Sequence, residues 1–186
     1  MNKPRYFESD TYHHLYNRGV NKQSIFFDKN DYEYFIKKMI ENKIKYQIEI
    51  IAFCLMPNHF HIFIHQTTKN GLGSKFISDL INSYTKTINK KYKKTGVLFE
   101  TRTKNKIVYS ELDFKNLTKY ILLNPVKAGL VNKIDDWEYS SAKELISENE
   151  LKITDKTILN YFNNIDKFTQ FIESDDIEDY ENIIID

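Results

Sequence analysis

The chain has 186 residues, 41% of them apolar and 15% aromatic, enough for one domain with a sizeable core and a small appendage at most. Its one cysteine, Cys54, excludes an intrachain disulfide. A polar N-terminus and the lack of any apolar run approaching ~18 residues argue against a signal peptide or membrane span, so the expected setting is the reducing cytoplasm. The net charge of +1 conceals an asymmetry: residues 84–133 hold twelve Lys and Arg against three Asp and Glu, and residues 134–186 hold four against fifteen. A basic middle beside an acidic end fits a polyanion partner; a solvated helix face followed by a solubilising tail fits the same numbers.

Residues 11–18 alternate loosely and end at Gly19, predicting a first strand. Asp28 to Asp31 offers N-cap chemistry, and Tyr32, Phe35, Ile36, Met39 and Ile40 recur at helical spacing, predicting a helix over 29–43. Residues 47–55 read as a buried strand and 59–65 as its neighbour, joined by a tight Met56-Pro57-Asn58 connection. An amphipathic helix is predicted over 74–93, with lysines from Lys86 to Lys94 at its basic end and Gly96 closing it. The basic segment 97–110 leads into a fourth strand. Asp113 then offers a cap for a helix that reaches about Leu123 and stops at or just within Asn124-Pro125. Four strands interleaved with helices in this order make an α+β, ferredoxin-like antiparallel sheet with helices on one face. One domain is expected over 1–150. Residues 151–186 are expected to be an acidic tail of short helices with a frayed end.

His59 and His61 stand one residue apart at the start of the third strand, so they share a face, while Phe60, Ile62 and Ile64 point the other way into a core. Two adjacent imidazoles are a metal platform or a satisfied surface pair. His65 shares their face two pleats on, where a surface role suits it; His13 and His14 read as strand residues facing opposite ways. Tyr120 and Asn124 are i and i+4 on one helix face. If that helix packs beside the sheet, two imidazoles and an amide oxygen leave coordination positions open, with a phenol standing by as nucleophile. The plainer alternatives are a packing tyrosine and a helix-stop asparagine before proline.

The segments YHHLYNRG, AFCLMPNHFHIFI, TGVLFETR, KYILLNPVKAGLV and WEYSS occur in that order over about residues 10–145. In this the chain resembles the single-tyrosine HUH transposases, and within them the REP-associated tyrosine transposases (RAYTs). The resemblance implies that His59, His61 and Asn124 hold a divalent metal, Mg²⁺ or Mn²⁺. It implies that Tyr120 attacks single-stranded, hairpin-bearing DNA, REP-like or a transposon end, leaving a 5′-phosphotyrosine and a free 3′-hydroxyl. It implies a monomer or a homodimer. An amide oxygen with open coordination favours Mg²⁺ or Mn²⁺ over Zn²⁺.

Candidate DNA contacts are Arg18, Lys86, Lys90, Arg102, Lys104 and Lys106, with the Lys86–Lys94 run as the groove for a single strand and Tyr92 as a stacking partner. Tyr84 and Tyr92 are rival phenols without a polar residue at i+4 that could join the metal. Two other classes remain: a non-catalytic, domesticated DNA-binding protein on the same fold, and a replication or conjugation initiator. The acidic tail is a solubility feature or a competitor of DNA for the basic groove.

Overall fold

Strands β1 (Thr11–Arg18), β2 (Ile48–Met56), β3 (His59–Gln66) and β4 (Lys104–Val108) form one antiparallel sheet in the order β2-β3-β1-β4. The computed structural model describes residues 7–67, 72–146, 153–162 and 164–174. Helices α1 (Lys29–Tyr46) and α2 (Gly73–Lys91) make the crossovers and pack on each other over one face, which completes the expected ferredoxin-like layer. The opposite face is also covered, by α3 (Glu111–Lys127), α4 (Ala142–Ile146) and α5 (Ile165–Glu173).

The alternation of β3 sorts its side chains as expected. Phe60, Ile62 and Ile64 bury under α1 and α2, while Phe63 joins Phe114, Leu117, Ile121 and Leu122 of α3 on the other side. The apolar run Ile50–Met56 of β2 fits its burial on both faces. A bulge between Ile50 and Ala52 turns Ile51 and Ala52 to the same side, so Ile50, Phe53 and Leu55 face α1 and α2 while Ile51, Ala52, Cys54 and Met56 face α3. Both of the first-strand histidines are buried, His13 on the side of Phe7 (ring centroids 4.4 Å apart) and His14 against His61, because neither sheet face is open there.

Asp28 caps α1 through a capping box with Asp31, and the helix runs to Tyr46, past the predicted end at 43, until Gln47 turns left-handed at φ 51°. The cap of α3 is Ser110 rather than Asp113: the Ser110 hydroxyl accepts from the Asp113 N–H at 3.0 Å and donates to its carboxylate at 2.6 Å. Nor does α3 stop at Asn124-Pro125. It runs through Pro125 to Lys127: the proline removes the bond to the Ile121 carbonyl and crowds it, but the last turn still closes, with the Ala128 N–H donating to the Asn124 carbonyl at 3.0 Å. In that weakened turn the Asn124 side-chain amide donates to the Tyr120 carbonyl at 2.9 Å.

The outer edge of β2 is covered by the Trp137–Ser141 segment. The Leu55 N–H donates to the Tyr139 carbonyl (2.9 Å), the Ser141 N–H to the Phe53 carbonyl (3.0 Å), and the Trp137 indole to the Leu55 carbonyl (3.0 Å). Further along that edge, the Asp155 N–H donates to the Ile50 carbonyl at 2.8 Å. The segment expected to be a tail therefore contributes to the fold. Ile158, Phe168 and Ile172 are fully buried in the core beneath α3; of the expected tail, residues 151–152, 163 and 175–186, which include the expected frayed end, lie outside the described residues. Among the described residues no helix is long and apolar enough to cross a membrane.

Candidate active site

The β1–β3 register places Arg18 opposite His59 and Tyr16 opposite His61. In an antiparallel pair, directly opposed side chains share a face. The His59 and His61 rings lie 5.1 Å apart, centroid to centroid, and almost perpendicular at 83°. His59 is oriented through Nδ1, 2.7 Å from the Asn58 side-chain oxygen, which leaves Nε2 directed at Asn124 Oδ1, 3.5 Å away. His61 is oriented from behind: its Nδ1 shares a hydrogen bond of 2.9 Å with His14 Nε2. Such partners on the second nitrogen fix which nitrogen an imidazole presents.

Helix α3 arrives at this pair because its apolar stripe, Phe114, Leu117 and Ile121, packs on β2 and β3. Tyr120 and Asn124 lie on the neighbouring stripe. Tyr120 meets His61 edge-on with centroids 5.4 Å apart, and Lys127, one further turn along, places its ammonium 6.0 Å from the Tyr120 ring. The bond from Asn124 Nδ2 to the Tyr120 carbonyl holds the amide so that its oxygen faces His59.

His59, His61 and Tyr120 open on a cleft of about 460 Å³, while Asn124 and Lys127 lie outside its lining. Tyr16, Asn17 and Arg18 of β1 form one wall, with Glu100, Thr101 and Lys104 beyond them; Lys22 and Asn58 lie at the rim, and His59, His61 and Tyr120 at the floor. The turn at Pro57-Asn58 is clamped from outside, since the Pro57 carbonyl accepts from the N–H groups of Ile25 and Phe26 and Asn58 donates to the Lys22 carbonyl. Gly19 makes that clamp possible: a Cβ there would meet the Gln23 carbonyl oxygen at 2.1 Å. Asn17 ties the other wall by donating to the Thr101 carbonyl at 2.9 Å.

Burial pushes the His59 imidazolium pKa down, against a smaller opposing effect of Asn124 and with a small further push from Arg18. Burial, then the neighbours His14 and His59, hold His61 well below the usual histidine range. Both rings are therefore neutral at neutral pH, the form that binds a cation. Among the described residues no three His, Cys, Asp or Glu side chains form a metal cluster, so a cation here needs the Asn124 oxygen beside the two imidazoles. That mixed nitrogen and oxygen set fits a divalent ion with open positions.

The same shifts predict a stability profile. His13 is pushed down to about 4 and His14 to about 3, in both cases chiefly by burial. A base whose folded pKa lies below its unfolded value of about 6.5 is protonated first in the unfolded chain, so stability is full above that value and falls as pH drops toward the folded pKa. The expected result is a melting temperature that is flat above about pH 6.5 and declines steadily to pH ~4, with a shallower decline in His14→Phe.

The family model for IS200-like transposases matches residues 8–122, more than half of the chain. The chain belongs to the IS200-like transposase family. The matched span contains His59, His61 and Tyr120 and ends just before Asn124. This IS200-like chain is 28% identical over 106 residues to a Haemophilus influenzae protein named as a REP-associated tyrosine transposase. The match covers 52% of the chain and spans about 60% of that relative's length. Its fold is similar to the structure of a REP-associated tyrosine transposase bound to a REP hairpin, with a TM-score of 0.66 and 18% identity over 83% of this chain and 94% of the other.

Of the basic residues singled out in this IS200-like sequence, Arg18 and Lys104 line the cleft. Lys106 is half-buried on β4 opposite His14, and Arg102 is exposed in the loop before β4, outside the cleft lining. Lys86 and Lys90 belong to α2, across the sheet from the histidines, so the Lys86–Lys94 run forms no wall of this cleft. Within that run Lys91 is paired with Asp28 and Asp31, and Tyr92 donates to the same carboxylates. Tyr84 is buried and donates to the Ile25 carbonyl at 2.7 Å. His65 lies between Glu49 (2.8 Å) and Asp10 (2.9 Å), stacked on Tyr12, away from the cleft lining.

Tyr16, Lys22, Glu100, Lys127 and the contact of His14 with His61 were not predicted from the sequence. Lys127 had a signal, since it stands at i+7 from Tyr120 and i+3 from Asn124. The others reach the site through the β1–β3 register and the Gly19 loop, which one-dimensional spacing does not contain.

Proposed function

We propose that the chain is a metal-dependent DNA strand transferase that cleaves and rejoins single-stranded, hairpin-bearing DNA through a 5′-phosphotyrosine intermediate. The observation that carries this reading is the convergence of Tyr120, His59 and His61 on one cationic cleft, with the Asn124 oxygen set behind the lining against His59. It is supported by family membership and by the likeness of the fold to a REP-associated tyrosine transposase whose structure holds a REP hairpin. In this chain α3 brings Tyr120 to the histidines of its own sheet, which supports a site built from one subunit.

His59, His61 and Asn124 would hold Mg²⁺ or Mn²⁺. When bound, that cation would polarise a non-bridging phosphate oxygen and offset charge building on it. Arg18, Lys22 and Lys104 bind the phosphates of the strand, and Tyr16 and the Thr101–Lys104 wall orient it. The Tyr120 hydroxyl oxygen forms a bond to phosphorus as the bond from phosphorus to the 3′ oxygen breaks. The phenolic proton is lost to solvent, and the 3′ oxygen takes up a proton. The phosphodiester count is conserved, so the reverse attack of a 3′-hydroxyl rejoins the strand without a nucleotide cofactor.

Incubation with Mn²⁺ and hairpin-bearing single strands should give an adduct that survives denaturation and maps by peptide mass to Tyr120. Tight, metal-independent binding of the same strands without any adduct would favour the non-catalytic DNA-binding alternative. Mn²⁺ itself should bind the wild-type chain, and His59→Ala with His61→Ala should remove that binding, read by the electron paramagnetic resonance signal of free Mn²⁺.

A further inference from the structure

Glu100 is the one carboxylate among the described residues lining the cleft, and it stands among the cations Arg18, Lys22 and Lys104. Its charge is the wrong sign for a wall that faces phosphates. Its placement is specific nonetheless. The Arg18 guanidinium forks onto it, Nε donating to Oε2 and Nη2 to Oε1, the latter at 3.1 Å. The backbone arranges this meeting: the Glu100 N–H donates to the Arg18 carbonyl at 2.9 Å, and Gly19 and Phe99 form an antiparallel bridge beside it. Arg18 holds the Glu100 carboxyl below the usual carboxylate range, and Lys104 and Lys22 act in the same direction.

A planar fork that grips a carboxylate by two parallel bonds matches two non-bridging oxygens of a phosphodiester equally well. The pair is also poorly shielded, with side-chain exposures of 50% and 39%, so little holds it against a competing anion. In the β1–β3 register Arg18 stands directly opposite His59, which puts the fork next to the candidate metal ligands.

We propose that the Arg18 fork, flanked by Lys22 and Lys104, is the seat of one backbone phosphate of the incoming strand, and that Glu100 fills it as an internal phosphate mimic until a strand displaces it. The proposal rests on the reading that the strand enters this cleft. Seating a phosphate here exchanges one ion pair for another. Rising salt weakens the leaving pair and the arriving pair alike, so the exchange is nearly salt-neutral. Strands that present no phosphate at this position leave Glu100 in place, which gives the cleft a threshold against loosely placed chains.

A double-mutant cycle read by binding tests this. The probe is a fluorescently labelled, hairpin-bearing single-stranded oligonucleotide in EDTA, so that binding is measured apart from cleavage. Glu100→Gln keeps the size of the side chain and removes its charge. Its Kd should fall by up to about fivefold at low ionic strength. Its plot of log affinity against log salt should steepen by about 0.7, the value for one further phosphate contact on a single strand. Arg18→Gln should weaken binding, and adding Glu100→Gln to it should give no gain. An equal gain in both backgrounds would mean that Glu100 acts through the general field, and it overturns the seat while the proposed function stands. An unchanged Kd in Glu100→Gln overturns the seat too. Failure of both the wild type and Glu100→Gln to bind the oligonucleotide overturns the seat and the proposed function together.

Discussion

Tyr120→Phe should abolish the denaturation-resistant protein–DNA adduct, a loss of at least about 10³-fold, on the scale of removing a catalytic nucleophile. Tyr16→Phe should retain the adduct. The chain has 13 tyrosines, so the prediction depends on eliminating the others by position. Tyr84 is fully buried with its hydroxyl donating to the Ile25 carbonyl, and the Tyr92 hydroxyl is bonded to Asp28 and Asp31 on the α1–α2 side. Only Tyr16 and Tyr120 line the cleft among the described residues. Tyr16 is pinned in a stack, 4.6 Å from His14, and burial raises the pKa of its phenol, which disfavours the phenolate a nucleophile needs. Tyr120 instead stands edge-on to His61 with the Lys127 ammonium 6.0 Å from its ring. Binding of the oligonucleotide without metal separates chemistry from affinity: it should survive Tyr120→Phe, since only one oxygen is removed. An adduct that persists in Tyr120→Phe, or one that Tyr16→Phe removes, would move the nucleophile to β1 and overturn the assignment.

The floor of this site was legible because it obeys local periodicity. His59 and His61 are two apart in a strand, and Tyr120 and Asn124 are four apart in a helix, so each pair shares a face whatever the tertiary structure. That the two pairs meet was not legible from spacing. It depends on α3 taking the face left open by α1 and α2, and this follows from the bulge that turns Ile51 and Ala52 toward Phe114, Leu117 and Ile121. The lysine run of α2 misled for the same reason: composition registers a cluster of charge but not the side of the sheet it occupies. Ser110 and Pro125 mark a different limit. A second cap candidate, Asp113, lay three residues inside the helix, and proline did not end the helix, which closes one turn later with the Ala128 N–H donating to the Asn124 carbonyl. The acidity of residues 151–186 is concentrated in 175–186; residues 151–174 balance three Asp and Glu with three Lys, and their Ile158, Phe168 and Ile172 are core, which a charge count over the whole segment obscures.

That core role makes the second large prediction one of stability. Phe168→Ala should destabilise the chain by about 3–5 kcal/mol, the usual cost of emptying a fully buried phenylalanine site. Phe168 is 0% exposed and packs with Phe162, centroids 5.3 Å apart, within the cluster that also contains Phe114 and Ile121. Against a total stability of about 5–15 kcal/mol, such a loss is a large fraction of the whole. Urea unfolding followed by circular dichroism should show the midpoint falling with the slope unchanged. The effect should also reach the site, because α5 is fastened to the residue next to Tyr120. The Lys119 ammonium, on a side chain only 1% exposed, donates to the carbonyls of Phe171 (2.7 Å) and Ser174 (2.6 Å) and to the Ser174 hydroxyl (2.8 Å). A buried ammonium is tolerated only with such partners, so loosening α5 exposes Lys119 and frees the turn of α3 that carries Tyr120. Removing residues 151–186 to test whether the acidic end competes with DNA would therefore unfold the α3 layer as well, and reduced adduct formation in that variant would report lost structure. Neutralising substitutions confined to residues 175–186 are the cleaner way to ask about charge. Should Phe168→Ala cost less than about 1 kcal/mol and leave adduct formation untouched, α5 would be an appendage after all, and its contact with Lys119 would have no bearing on the site.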